Sequence, residues 1–285
     1  GYYDDLTLLT GPFALTLIDD GGTDTLDLSG MTSSNTVDLT PGAVSSVGGL
    51  TNNLVIFDTT IIEHLILGSG SDTVLGNAAN NSIFGGGSVD VIDGGAGNDT
   101  IDGGAGGDYL VGGVGANTLT GDLDYDTLSY ETSSAGVIVS LLSGSASGGD
   151  ASGDTFSGFE GLRGSAHNDE LIGDGAANTL HGLAGDDYIN AANGDDSVEG
   201  GDGDDIIIGG AGADILSGGA NTGAGDTVSY VNSNAAVQVD NSVDYGSTSG
   251  GHAAGDVLDG FENIIGSIYG DELTGRANGT VDGYN

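Results

Sequence analysis

The sequence predicts an all-β repeat fold, built from glycine-rich turns and short strands around a narrow aliphatic core, and three observations predict it. Of 285 residues, 58 are Gly and 37% are hydrophobic, below the ~45–50% usual for globular chains, so a broad conventional core is excluded. The chain repeats itself every nine residues over two long stretches, the mark of a repeat array rather than of an ordinary domain. Within each repeat a Val, Ile or Leu stands two residues beyond an Asp or Asn, on the same side of an extended chain.

The first run extends from Leu67 to Ser129 as seven ungapped blocks, among them GGAGNDTID and GGAGGDYLV. Its sixth place reads Asp72, Asn81, Asp90, Asp99, Asp108, Asn117 and Asp126, and its eighth place Val74, Ile83, Ile92, Ile101, Leu110, Leu119 and Leu128. A second run from Gly164 to Ser217 places Asp169, Asn178, Asp187, Asp196, Asp205 and Asp214 at the sixth place, followed by Asp226. A third begins at Gly266 with Asp271 and Leu273.

Charge states what such a chain needs. Acidic residues number 43 against 2 Lys and Arg, a formal net charge of −41, so the counter-charge must come from solution. Turns rich in Gly reach positive φ and bring carbonyl oxygens inward, while Asp adds a hard anionic oxygen. Such turns are formed by Gly85, Gly87, Gly94, Gly95, Gly97, Gly103, Gly104 and Gly106 in the first run, and by Gly200, Gly201, Gly203, Gly209, Gly210 and Gly212 in the second. Carbonyls and carboxylates together match the six to eight oxygens, at ~2.3–2.6 Å, that Ca²⁺ prefers. A core one side chain thick per block does not offset the ordering of its backbone, so the ion is expected to be part of the fold.

The block pattern G-G-x-G-x-D-x-U-x resembles the RTX, or haemolysin-type, calcium-binding nonapeptide repeat. The resemblance implies a parallel β-roll, a β-solenoid in which two blocks make one coil and several Ca²⁺ ions lie between stacked turns. Residues eighteen apart then share an edge. Asp72, Asp90, Asp108 and Asp126 form one edge of the first run, and Asn81, Asp99 and Asn117 the other. The second run divides into Asp169, Asp187, Asp205 and into Asn178, Asp196, Asp214. Asn lacks the negative charge, so the Asn registers are expected to bind more weakly.

Glu63, Glu160 and Glu262 each lie nine residues before the first sixth-place Asp of a run. Each therefore occupies the ligand place of an extra leading block, and its longer side chain is expected to reach the first ion or to cap the open end of the roll.

Spacers between the runs also repeat. DTLSYETSSAGVIVSLLSG from Asp126 and DTVSYVNSNAAVQVDNSV from Asp226 correspond, with a more distant copy, DTLDLSGMTSSNTVDLTPG, from Asp24. Alternating stretches at Val137 to Leu141 and Val237 to Val239 read as strands. The first spacer, roughly residues 19 to 84, resembles the C-terminal domain of serralysin-type metalloproteases. The chain then divides into a leading spacer with the end of a preceding module (1–66), a first roll (67–129), a spacer (130–163), a second roll (164–228), a spacer (229–265) and the start of a third run (266–285). Because the third run stops soon after it starts, a longer parent chain, or an end completed by another copy, is expected.

Several function classes are excluded. Only Arg163 and Arg276 carry fixed positive charge, which leaves no surface for nucleic-acid phosphates. No 18-residue apolar stretch is present, so no membrane insertion is expected. The four His, at 64, 167, 181 and 252, form no H-E-x-x-H, and no Cys offers a thiol nucleophile. The expectation is a nonenzymatic, calcium-dependent extracellular module of adhesin, surface-layer or filament type. The alternatives are the noncatalytic tail of a secreted protease, lipase or epimerase, and a polysaccharide-binding module. Partners beyond Ca²⁺ would be further copies, stacked head to tail, or extracellular polysaccharide. RTX proteins are exported from bacteria by type I secretion, so the resemblance implies a secreted or cell-surface protein.

Overall fold

The computed structural model describes residues 15–18, 21–243, 245–277 and 279–283, so the first fourteen residues of the predicted leading segment lie outside the described residues. The described chain is all-β apart from two three-residue 3₁₀ turns, Gly149–Ala151 and Gly251–Ala253. Strands fall on the seventh to ninth places of each block, as in Thr73–Leu75, Ser82–Phe84, Val91–Asp93 and Thr100–Asp102. Three residues are enough because only the middle one faces inward. All thirteen eighth-place residues of the two long runs are buried, whereas Leu75, Phe84 and Val91, on either side of them, are exposed.

The chain forms two compact units, Gly1–Tyr130 with Asp150–Phe159, and Glu131–Gly149 with Glu160–Asn285. Each unit contains a parallel β-roll of two long sheets and one three-stranded sheet. In the first, strands from alternate blocks pair at a register of eighteen, with Ile83 beside Ile101 and Leu119 on one sheet, and Val74 beside Ile92 and Leu110 on the other. In the second, Leu171, Ile189 and Ile207 align on one sheet, and Leu180, Val198 and Leu216 on the other.

The spacers are not linkers. Thr155–Ser157 pairs in parallel with Thr118–Thr120, Val257–Asp259 with Ile215–Ala220, and Asn263–Ile265 with Thr227–Ser229, so spacer strands add coils to the rolls. The 130–163 spacer is itself divided between the two units. Its expected strand is Ile138–Ser140, and that of the next spacer is Gln238–Asp240. Each of these also pairs antiparallel, with Ser145–Ser147 and Thr248–Ser249 respectively, a hairpin pairing that the nonapeptide period does not contain.

Gly97 shows why the turns need glycine. Its φ is +127°, and a Cβ there would lie 2.5 Å from the carbonyl oxygen of Ala79 in the preceding coil. Both backbone strain and the close stacking of coils exclude a side chain at this position.

Candidate metal centre

The sixth-place carboxylates form ladders along the rolls. Asp90 Oδ1 accepts the backbone N–H of Asp72 at 2.7 Å, Asp108 Oδ1 that of Asp90 at 2.8 Å, and Asp126 Oδ1 that of Asp108 at 2.7 Å. On the other edge Asp99 Oδ1 accepts from Asn81 and Asn117 Oδ1 from Asp99. The second roll repeats this: Asp187, Asp205 and Asp226 accept in turn from Asp169, Asp187 and Asp205, and Asp196 and Asp214 from Asn178 and Asp196. Each of these accepting side chains is therefore held with one oxygen fixed by the neighbouring coil.

The other oxygen is the informative one. Among the described residues, Oδ2 of Asp72, Asp90, Asp99, Asp108, Asp187, Asp196, Asp205, Asp214, Asp226 and Asp271 is buried without a hydrogen-bond partner. An unpaired buried carboxylate oxygen is costly, and a repeated row of them calls for a shared counter-charge. Burial pushes Asp90 up from the usual carboxylate range to about 7, Asp187 to about 8 and Asp196 to about 7, helped by neighbouring carboxylates such as Asp108 and Asp72 beside Asp90.

The first-place glycines open the space around these oxygens. A Cβ on Gly94 would lie 2.6 Å from Asp99 Oδ2 and 2.7 Å from the carbonyl oxygen of Gly112 in the next coil. On Gly85 it would meet Asp90 Oδ2 at 2.8 Å and the carbonyl of Gly103. Each cradle thus offers one carboxylate oxygen and main-chain carbonyls, all hard donors suited to Ca²⁺. No three His, Asp or Glu side chains converge to hold a metal among the described residues. Backbone carbonyls would therefore have to complete any donor set, and the glycines leave the room for them.

Not every predicted register has this form. Asn81 Oδ1 accepts the N–H of Asn77, and its Nδ2 donates to the carbonyls of Ile62 and Glu63 at 3.0 and 3.3 Å. Asn178 likewise accepts from Asp174 and donates to the Glu160 carbonyl. At Asn117, Nδ2 donates to the Gly113 carbonyl at 3.2 Å. An amide brings its own donor where a carboxylate has none. Asp169, read from sequence as a full acid site, has both oxygens engaged by Val137 N–H, Ser165 N–H and Ser165 Oγ. At these three registers the second place of the block differs: Gly86, Gly95, Gly104, Gly201 and Gly210 take positive φ, whereas Ser165, Asn77 and Asp174 do not, and the N–H groups of these three close onto the sixth-place oxygen.

The leading glutamates correct one expectation. Glu63 Oε2 accepts the Asp24 N–H at 2.8 Å and Glu262 Oε2 the Asp226 N–H at 3.1 Å, so both take a rung of the ladder. Neither caps an open end, because the strands that follow them, His64–Ile66 and Asn263–Ile265, are flanked on both sides by paired strands.

Residues that the period did not reveal complete the ladders. Asp154 Oδ1 accepts the Asn117 N–H at 2.6 Å, and Asp256 Oδ1 the Asp214 N–H at 3.1 Å. The signal was present in GDTF and GDVL, where an apolar residue again follows two places after Asp. A second, outer ladder runs through the fifth place: Asn80, Asn98, Asn168, Asp186 and Asp195 each accept the N–H of the residue eighteen later.

Comparison with known proteins agrees with this geometry. Residues 10–131 match the family described as peptidase M10 serralysin C terminal, and residues 163–198 and 191–223 match the RTX calcium-binding nonapeptide repeat. Similar proteins include a serralysin of Proteus mirabilis, 47% identical over 64 residues, and metallopeptidase AprA of Pseudomonas marginalis, 43% over 63 residues. Serralysin G of Dickeya chrysanthemi is 39% identical over 70 residues. These alignments cover 22–25% of this chain and only 13–15% of the relatives. Residues 163–223 are thus RTX calcium-binding nonapeptide repeats, and residues 10–131 are a region of the serralysin C-terminal family.

Proposed function

We propose that this chain is a noncatalytic structural module of an extracellular protein, which reaches its folded state by taking up several calcium ions outside the cell. The row of buried Oδ2 atoms without protein partners carries this reading. With 43 acidic residues against 2 Lys and Arg, the chain has no internal cation to neutralise that row. Extracellular calcium near ~10⁻³ M saturates modules with dissociation constants of ~10⁻⁴–10⁻³ M, and the submicromolar calcium of a cytosol does not. Such a chain crosses the cell envelope unfolded and sets afterwards. No described helix is long and apolar enough to cross a membrane.

Circular dichroism and sedimentation velocity, with and without excess calcium, test the reading. A coil-to-β transition with compaction in calcium is expected, and full β signal after exhaustive EDTA treatment refutes it. The parent protein is a separate question. The match over residues 10–131 favours the tail of a secreted serralysin-type peptidase over an adhesin or filament. An H-E-x-x-H segment upstream in the full gene supports the first, and further ~100-residue modules of this kind support the second.

A further inference from the structure

We infer that Tyr130 and Tyr230 each close one register of the acidic ladder to cations, their hydroxyls standing at Asp154 and Asp256 where the nonapeptide carboxylates face an ion. The inference rests on the calcium reading above. Tyr130 Oη donates to Asp154 Oδ2 at 3.1 Å, and Tyr230 Oη to Asp256 Oδ2 at 3.0 Å. Since Oδ1 of each acid already accepts a backbone N–H, both carboxylate oxygens are paired within the protein. Relative exposure is 2% for both tyrosines, 2% for Asp154 and 4% for Asp256, so the pairs are sealed.

The turns agree. Ahead of Asp154 and Asp256 the chain makes the 3₁₀ turns Gly149–Ala151 and Gly251–Ala253, in place of the Gly-Gly-x-Gly cradle that brings carbonyls to the nonapeptide acids. A phenol satisfies one oxygen alone, whereas Ca²⁺ needs six to eight.

The remaining copy of the spacer shows that acid and phenol go together. Leu54–Ile56 pairs with Leu15–Leu17 as Thr155–Ser157 pairs with Thr118–Thr120, and the residue before it is Asn53, not Asp. In the same copy Leu28 follows the strand Thr25–Asp27 where Tyr130 follows Thr127–Ser129. Asn53 satisfies itself on Val47, accepting its N–H at 2.8 Å and donating to its carbonyl at 3.0 Å. Where the phenol is absent the buried charge is absent too, so the tyrosine is the acid's partner and not merely a packing residue.

Calcium bound per chain, counted by equilibrium dialysis on samples whose folding is checked by circular dichroism, tests the inference. Asp154→Asn and Asp256→Asn are expected to hold the wild-type number of ions, and Asp90→Asn fewer. Tyr130→Phe keeps the carboxylate and the shape of the ring, and serves if an Asn variant does not fold; it is expected to hold at least the wild-type number. One ion fewer in Asp154→Asn, Asp256→Asn or Tyr130→Phe overturns the inference. A wild-type chain that binds no calcium overturns the calcium reading instead.

Discussion

At the scale of the residue, the second oxygen of each sixth-place side chain decides its part. Asp90 lies between Asp72 and Asp108 in the ladder, its Oδ1 fixed and its Oδ2 buried without a donor. Asn81 has both amide atoms engaged within the protein. Asp90→Ala is therefore expected to raise the calcium midpoint of β formation, followed by circular dichroism, clearly more than Asn81→Ala. Equal shifts would show that the two edges do not differ in their demand for cation. The identity of the sixth place was legible in the sequence; what its second oxygen meets was not. At Asp169 the N–H that closes the oxygen comes from Ser165, and its direction depends on a backbone angle that the block pattern does not state.

At the scale of the element, a three-residue strand buries one side chain, and its stability comes from stacking on strands eighteen residues away. Leu110 is fully buried and sits between Ile92 and Leu128 on its sheet. Leu110→Ala is expected to cost about 2–5 kcal/mol in calcium-saturated unfolding, the range for a truncated core leucine. A loss below ~1 kcal/mol would mean that the coil collapses onto the gap and the core is not close-packed. The turns and strands of the nonapeptide runs could be placed from the period alone. The spacer hairpins could be placed only in part, since alternation located Ile138–Ser140 but not its antiparallel partner Ser145–Ser147.

At the scale of the whole chain, charge density and burial set a pH dependence with a definite sign. Burial raises Asp90, Asp196 and Asp226 to about 7 and Asp187 to about 8, above their unfolded value of ~3.9. The calcium-free fold therefore binds more protons than the unfolded chain between about pH 4 and 8, so its stability is greatest at the acid end and is lost as pH rises through that window. Protons and calcium compete for the same oxygens. In EDTA, β content is expected to rise as pH falls from 8 to 4, and in calcium the midpoint concentration is expected to fall as pH rises from 6 to 8. A calcium midpoint independent of pH over that range would contradict the placement of these acids at the ion.

By itself the sequence determined the period, the strands, the inward residues and the need for an external cation, because each follows from local spacing and from the near absence of Lys and Arg. Only the tertiary structure decided which acids keep a buried oxygen without a donor from the protein. Partners from distant parts of the chain, the Tyr130 hydroxyl donating to Asp154, the Tyr230 hydroxyl to Asp256 and the Asp24 N–H to Glu63, meet only after the coils have stacked. Hydrogen-bond satisfaction is a property of the assembled neighbourhood, and a nine-residue pattern contains one half of it.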